Sequence, residues 1–239
     1  LFQLPLGLFT IAISTAILPR LSGKWARKDT QGFSETLKHG ISLCTLIILP
    51  AMFGLWVMGE PVIKLLFEHR SFTPADTART AYVLNYYLIG LAGYSLVHLF
   101  TRAFYSIQKT FVPVLSGIIA VFVNVGLDLL LIQPMGIGGL ALATAVSGIV
   151  NGLVLLFLFF YTTEMQGFLP RPRLIIKILL AVMLMGLTVF FLKNWLINFN
   201  IGEFGRVVFP ILSGAAIYTL LSYLLGVKKA VLDEVQIID

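Results

Sequence analysis

Long apolar runs alternate with short charged stretches along the whole chain. Six runs carry at most one charged residue each, at 1–19, 39–59, 80–101, 110–163, 174–192 and 207–227. A membrane-spanning helix needs about 20 apolar residues, and the fourth run is long enough for two such helices, with QPMGIGG between them. The pattern therefore predicts seven spans, at 1–19, 38–58, 78–106, 111–131, 137–162, 174–194 and 205–226.

Composition identifies lipid as the solvent of this chain. Of its 239 residues, 58% are hydrophobic and 12% are charged, whereas an ordinary soluble domain carries about 25% charged residues. The net charge of +6 comes from basic residues in the gaps between apolar runs, and not from a basic polar face of the kind that binds nucleic acid. We therefore expect an all-α, polytopic membrane protein with no nucleic-acid partner.

The distribution of basic residues predicts the orientation. Twelve of the 17 Lys and Arg residues fall in loops on one side, which should be cytoplasmic and should hold the C-terminus. The first span then begins outside, so we expect a further membrane lobe upstream. Two short segments with bulky apolar residues, 23–38 and 61–69, are expected as interfacial helices on the inner and outer faces.

One carboxylate, Asp128, lies within a predicted span, where a charge costs several kcal/mol. Asn124 is four residues earlier on the same helix face, and Thr144 lies in the next helix among small residues. An all-oxygen set of this kind suits a hard cation, and its single negative charge favours Na⁺ over Ca²⁺. Two alternatives stay open: Asp128 is a proton carrier, or it extends to the outer surface and has no ligand.

Motifs for covalent chemistry are not found in the sequence. It has no Gly-rich phosphate loop, no Gly–x–Ser–x–Gly element, and no His or Cys pair at metal-ligand spacing. We therefore do not expect an enzyme.

Three segments together resemble a known family. They are LFQLPLGLFTIAISTAILPRLS (1–22), AFYSIQKTFVPV (103–114) and NVGLDLLLI with GIGGLALATAVSGIVNGLVL (124–155). Their order and spacing resemble the second half of the MurJ/MviN lipid II flippases. The resemblance implies the last seven of fourteen helices, forming the C-terminal lobe of a bacterial plasma-membrane protein. Residues 1–171 would hold the first five helices of that lobe. Residues 172–239 would hold the last two, with a groove for the polyprenyl tail and a short cytoplasmic tail.

The resemblance also implies site residues and partners. Gln3 matches a polar position of the substrate cavity, and Asn124, Asp128 and Thr144, with the carbonyl of Leu140, match the family's proposed sodium site. No cofactor would be required, with Na⁺ a candidate coupling ion. The implied partners are a lipid-linked peptidoglycan precursor, membrane lipid and the upstream N-terminal lobe of the same protein.

Three other functions stay open at this stage. A polysaccharide-lipid flippase of the same superfamily would carry O-antigen-like substrates. A cation-coupled small-molecule exporter would have a less basic cavity. An accessory membrane protein would use its small-residue helix faces for assembly alone.

Overall fold

The computed structural model describes residues 1–199 and 201–227, and every regular element in these residues is a helix. A π-helix, Leu6–Ile11, joins the first two α-helices into one span, Gln3–Ala26. The α-helices are α1 (Gln3–Pro5), α2 (Ala12–Ala26), α3 (Thr30–Phe67), α4 (Pro74–Ile89), α5 (Leu91–Ser106), α6 (Phe111–Met135), α7 (Ile137–Thr163), α8 (Pro172–Leu196) and α9 (Glu203–Leu224).

The number of spans agrees with the sequence pattern. Within residues 1–199 and 201–227, six helices are long and apolar enough to cross a membrane, and the bent pair α4 and α5 makes a seventh if it is one span. The expected fold class, an all-α polytopic lobe with seven spans, is therefore confirmed. The tail beyond Val227 lies outside the described residues.

The interfacial helix expected over 23–38 is wrong. Residues 23–26 end the first span, a turn follows, and α3 begins at Thr30. Asp29 caps α3 by accepting a hydrogen bond from the Gly32 N–H at 2.8 Å, and this bond, together with Lys24, lowers the pKa of the Asp29 carboxyl. Phe33 is fully buried and stacks on Phe159, so the start of α3 packs inside the bundle and does not lie along the membrane surface.

The interfacial helix expected over 61–69 is also wrong, because α3 continues without a break to Phe67. Its 38 residues span roughly 57 Å at 1.5 Å per residue, well beyond a hydrocarbon core of about 30 Å. Most of the first segment, from Thr30, and most of the second, to Phe67, are therefore the two ends of one long helix. Ile63, in the second of them, is fully buried.

The third predicted span, 78–106, is a broken helix. It begins earlier, at Pro74, because Thr73 and Asp76 form a capping box. At Gly90 it bends by 44°. A Cβ built on Gly90 would lie 2.7 Å from the Ala145 Cα, and one on Gly93 would lie 2.6 Å from the Ile149 Cα. The bend therefore occurs where the pair crosses α7 at close range, as small residues allow in membrane bundles.

Two prolines inside α3 free backbone carbonyls that the last two helices then satisfy. Pro50 has no N–H to donate to the Leu46 carbonyl, and the Tyr218 hydroxyl of α9 donates to that oxygen at 2.6 Å. In the same way Pro61 leaves the Val57 carbonyl free. The Lys193 ammonium of α8 donates to it at 3.2 Å. An unsatisfied carbonyl in hydrocarbon costs several kcal/mol, so each proline becomes an attachment point for a neighbouring helix.

Tyr218 and Pro50 should therefore be energetically coupled. We expect Tyr218→Phe to lower the free energy of unfolding by about 1 kcal/mol. The loss should be much smaller in a Pro50→Ala background, because the backbone N–H gained by that substitution then bonds the Leu46 carbonyl. The measurement is a double-mutant cycle on purified protein, followed by thermal or detergent unfolding.

Tyr161→Phe is the matched control, since Tyr161 is 76% exposed on a membrane-spanning helix. An equal loss from Tyr218→Phe in both backgrounds would show that the hydroxyl does not act through the carbonyl that proline frees.

Candidate functional site

The candidate cation site lies on the helical hairpin of α6 and α7. One residue, Gly136, separates the two helices, with φ at +56° and ψ at −133°, a conformation that side chains other than glycine rarely adopt. The helices therefore run antiparallel and pack along their length. The sequence break at Gln133–Gly139 is thus a tight turn, as predicted.

Two contacts set the register of this hairpin. Near the turn, the Leu131 carbonyl lies against Gly139 so closely that a Cβ there would overlap it. Farther from the turn, the buried Ser116 hydroxyl donates to the Asn151 side-chain oxygen. The two contacts are 15 residues apart on α6, with Asn124 and Asp128 between them, and 12 residues apart on α7, with Leu140 and Thr144 between them.

Asp128 and Asn124 each carry a buried polar atom with no partner. Both side chains are half-buried, but the Asp128 Oδ1 and the Asn124 Nδ2 are shielded from solvent and lack hydrogen bonds. Most buried polar atoms in proteins are paired, so two orphans one helical turn apart call for an explanation. A half-turn of the Asn124 amide exchanges its nitrogen and its oxygen, which occupy nearly the same volume. The pair can thus present two oxygens on one face of α6.

Thr144 and Leu140 belong to the first turns of α7. The Thr144 hydroxyl donates to the Leu140 carbonyl at 2.9 Å, which uses its only proton and leaves its oxygen lone pairs free. The candidate metal ligands are then one carboxylate, one amide oxygen, one hydroxyl and one carbonyl. No cluster of three His, Cys, Asp or Glu occurs in residues 1–199 and 201–227. These donors fit a hard monovalent cation by type and charge.

Gln3 is placed away from these four residues. It is exposed on the first turn of the first span, which packs against α3 and α5 and has no packing contact with α6 or α7 in the part of the chain described. The structure thus places four of the five predicted site residues on one hairpin, and it places Gln3 on the exposed face of the first span.

Two polar features inside the membrane were missed by the sequence analysis. The Thr10 hydroxyl, within the π-helix, lies 3.1 Å from the Ser95 hydroxyl of α5, and both residues are buried. The Ser116–Asn151 bond was the second. Polar residues in otherwise apolar spans were the available signal, because bilayer helices use such residues to bind one another.

The comparisons with known proteins agree with this architecture. The family model for "Lipid II flippase MurJ" matches residues 1–209. A "Probable lipid II flippase MurJ" from Thermotoga maritima is 36% identical over 98% of this chain and 46% of its own length. Another, from Vibrio cholerae, is 34% identical over 95% of this chain and 44% of its own length. The solved structure "Lipid II flippase MurJ, inward closed conformation" is 30% identical, with a TM-score of 0.75 over 94% of this chain and 45% of that one.

The fold and these matches define a polytopic helical membrane protein. The chain belongs to the lipid II flippase MurJ family. It spans about half the length of the relatives it matches. The resemblance found in the sequence is therefore confirmed.

Close packing at the hairpin should be sensitive to one methyl group. We expect Gly139→Ala to lower the melting temperature by several degrees, because its Cβ would collide with the Leu131 carbonyl and push α6 away from α7. Gly126→Ala, between Asn124 and Asp128 on α6, meets nothing within 4 Å and should be neutral or slightly stabilising. Thermal unfolding of the two purified variants makes the comparison, and equal melting temperatures would contradict the register of the two helices.

Proposed function

We propose that this chain is the C-terminal lobe of a flippase that moves a lipid-linked peptidoglycan precursor across the bacterial plasma membrane. The observation that carries the proposal is the agreement of family match and fold over nearly the whole described chain. The N-terminal lobe of the same protein would complete the substrate cavity. The complete flippase would expose that cavity to each side of the membrane in turn, without covalent chemistry.

The surface of the lobe supports this arrangement. The face of α6 away from α7 is apolar and open, with Phe122 and Leu129 each more than 70% exposed, and it suits contact with lipid acyl chains. The exposed face of the first span instead mixes Gln3, Gly7 and Thr15 with apolar side chains such as Leu4 and Leu8, which are 59% and 66% exposed. We assign this mixed face to the substrate cavity, with Gln3 as a hydrogen-bonding contact for the polar headgroup. The C-terminus is assigned to the cytoplasm on the distribution of basic residues.

We further assign Asn124, Asp128, Leu140 and Thr144 as ligands of a coupling Na⁺. The support is the buried, unpartnered Asp128 Oδ1, which a side chain extended into water would not show. A bound cation would provide the positive countercharge that this carboxylate oxygen does not find in the protein. One elementary charge crossing 100 mV is worth about 2.3 kcal/mol, so an ion at this hairpin could bias the transport cycle at that scale.

The transport proposal predicts genetic rescue. The complete protein should restore growth to cells depleted of their own lipid II flippase, whereas failure at normal membrane expression would reject the proposed substrate. Asp128→Asn should abolish or strongly reduce rescue, because it keeps the shape of the side chain and removes its charge. Glu164→Gln, at an exposed carboxylate in the loop after α7, is the matched control and should rescue fully.

The cation assignment predicts a stability effect that does not depend on transport. Ligand at ten times its dissociation constant stabilises a protein by about 1.4 kcal/mol. Exchanging choline chloride for NaCl at constant ionic strength should therefore raise the melting temperature of the complete wild-type protein. The shift should vanish in Asp128→Asn and persist in Glu164→Gln. A Na⁺ shift of equal size in Asp128→Asn would place the ion elsewhere.

A further inference from the structure

A second polar feature lies at the membrane end where α3 and α8 end and α9 begins. A cleft of about 240 Å³ opens there between the three helices. Its charged lining has three cations and two carboxylates, namely Lys64, Lys193, Arg206, Glu60 and Glu203. By the orientation expected from the basic loops, this is the outer end.

The cations of the cleft are only partly neutralised. Lys64 binds Glu203 at 2.7 Å. Lys193 and Arg206 bind no carboxylate within 4.0 Å in residues 1–199 and 201–227, and both donate to neutral carbonyls instead. Lys193 bonds the Val57 carbonyl with one of its three N–H groups.

Arg206 has a buried donor without a partner. Its Nη2 bonds the carbonyl of Phe199 at 3.0 Å and that of Ile197 at 3.4 Å, so the guanidinium closes the loop after α8. Its Nε is shielded from solvent and makes no hydrogen bond. An arginine held by neutral carbonyls keeps its full charge, and the guanidinium fork matches phosphate oxygens. The residues that line the cleft therefore carry one more positive than negative charge, and the attraction between Glu68 and Lys64 acts from outside this lining.

The level of the cleft in the membrane indicates which kind of anion it would bind. Aromatic side chains close in sequence to the lining residues are exposed: Trp195 is 57% and Phe204 is 69% exposed, and the Trp195 and Phe199 rings are 4.5 Å apart. Aromatic side chains at the ends of membrane-spanning helices are typical of the lipid headgroup level. Part of the lining is apolar, with side chains that include Leu65 and Val207. The phosphodiester of a phospholipid presents a negative charge next to apolar glycerol and acyl carbons at this depth.

We propose that this cleft binds the phosphodiester of an outer-leaflet phospholipid between Lys193 and Arg206. The bound lipid connects the ends of α3 and α8 to the start of α9 on the face of the lobe that carries the last two helices. This role is separate from the transport site, so failure of one proposal leaves the other standing.

The test is lipid binding by the complete protein in a maltoside detergent, with phosphatidylglycerol as the probe and native mass spectrometry as the readout. Lys193→Gln keeps a donor for the Val57 carbonyl and removes the charge. It should weaken lipid binding about tenfold, the loss expected for one charge-assisted hydrogen bond. Lys193→Arg should retain the binding of wild type, which separates loss of charge from loss of fold.

Arg79→Gln is the matched control, an exposed arginine on α4 at the same membrane end and outside the cleft. It should bind lipid as wild type does. A tenfold loss of lipid binding in this variant as well would show that the effect of Lys193→Gln comes from the overall surface charge and not from the cleft. Excess inorganic phosphate should displace little lipid. Full displacement at millimolar phosphate, or wild-type binding by Lys193→Gln, would overturn the proposal.

Discussion

Backbone carbonyls that proline leaves unpaired organise the second half of this bundle. In water such an oxygen would bond solvent, but in hydrocarbon it must find a donor within the protein. The long helix α3 has two of these oxygens, at Leu46 and Val57, and each receives a donor from a different one of the last two helices. The apolar packing around them is non-directional. These two bonds therefore give α8 and α9 defined heights along α3, which packing alone would leave loosely set.

In the α6–α7 hairpin, close packing of the two helices sets their relative position, in place of bonds to carbonyls that proline frees. Its turn is a single glycine, and its two helices approach so closely that a methyl group at Gly139 has no room. Close approach removes the space for water and for long side chains, so polar groups on the facing surfaces are isolated from solvent. The buried oxygen of Asp128 follows directly from that geometry. The neighbouring helix α7 offers this carboxylate only neutral groups.

The sequence predicted which segments span the membrane, but it was a poorer guide to how those helices end, bend and connect. Runs with at most one charged residue predicted all seven spans, because the cost of burying charge in lipid is large compared with any local preference. The ends of α3 were mistaken for interfacial helices. Lys38 and Glu60 mark where α3 leaves the apolar run, but a helix that outgrows the membrane keeps its backbone hydrogen bonds in water as well. The bend at Gly90 and the π-helix depend on contacts with distant helices, which a local pattern does not contain.

Pairing among the polar residues was predictable only in part. Asn124 and Asp128 could be put on one face from their spacing, and Thr144 on the neighbouring helix from the small residues around it. The contact between Ser116 and Asn151, which helps to set the register of the two helices, was not predictable from this spacing. The cleft at the ends of α3 and α8 gave no signal in the sequence, because its charged residues come from segments that lie far apart along the chain.

The π-helix at Leu6–Ile11 has a consequence for comparing this chain with its relatives. One extra residue in a helical turn rotates everything on its N-terminal side by about 100° relative to an unbroken α-helix. Gln3 therefore points in a direction that depends on whether that residue is present. A relative lacking it would align well by sequence and still direct the equivalent side chain toward another part of the molecule. Insertions and deletions of single residues in this first span thus alter the direction in which its N-terminal side chains point, without any change in their identity.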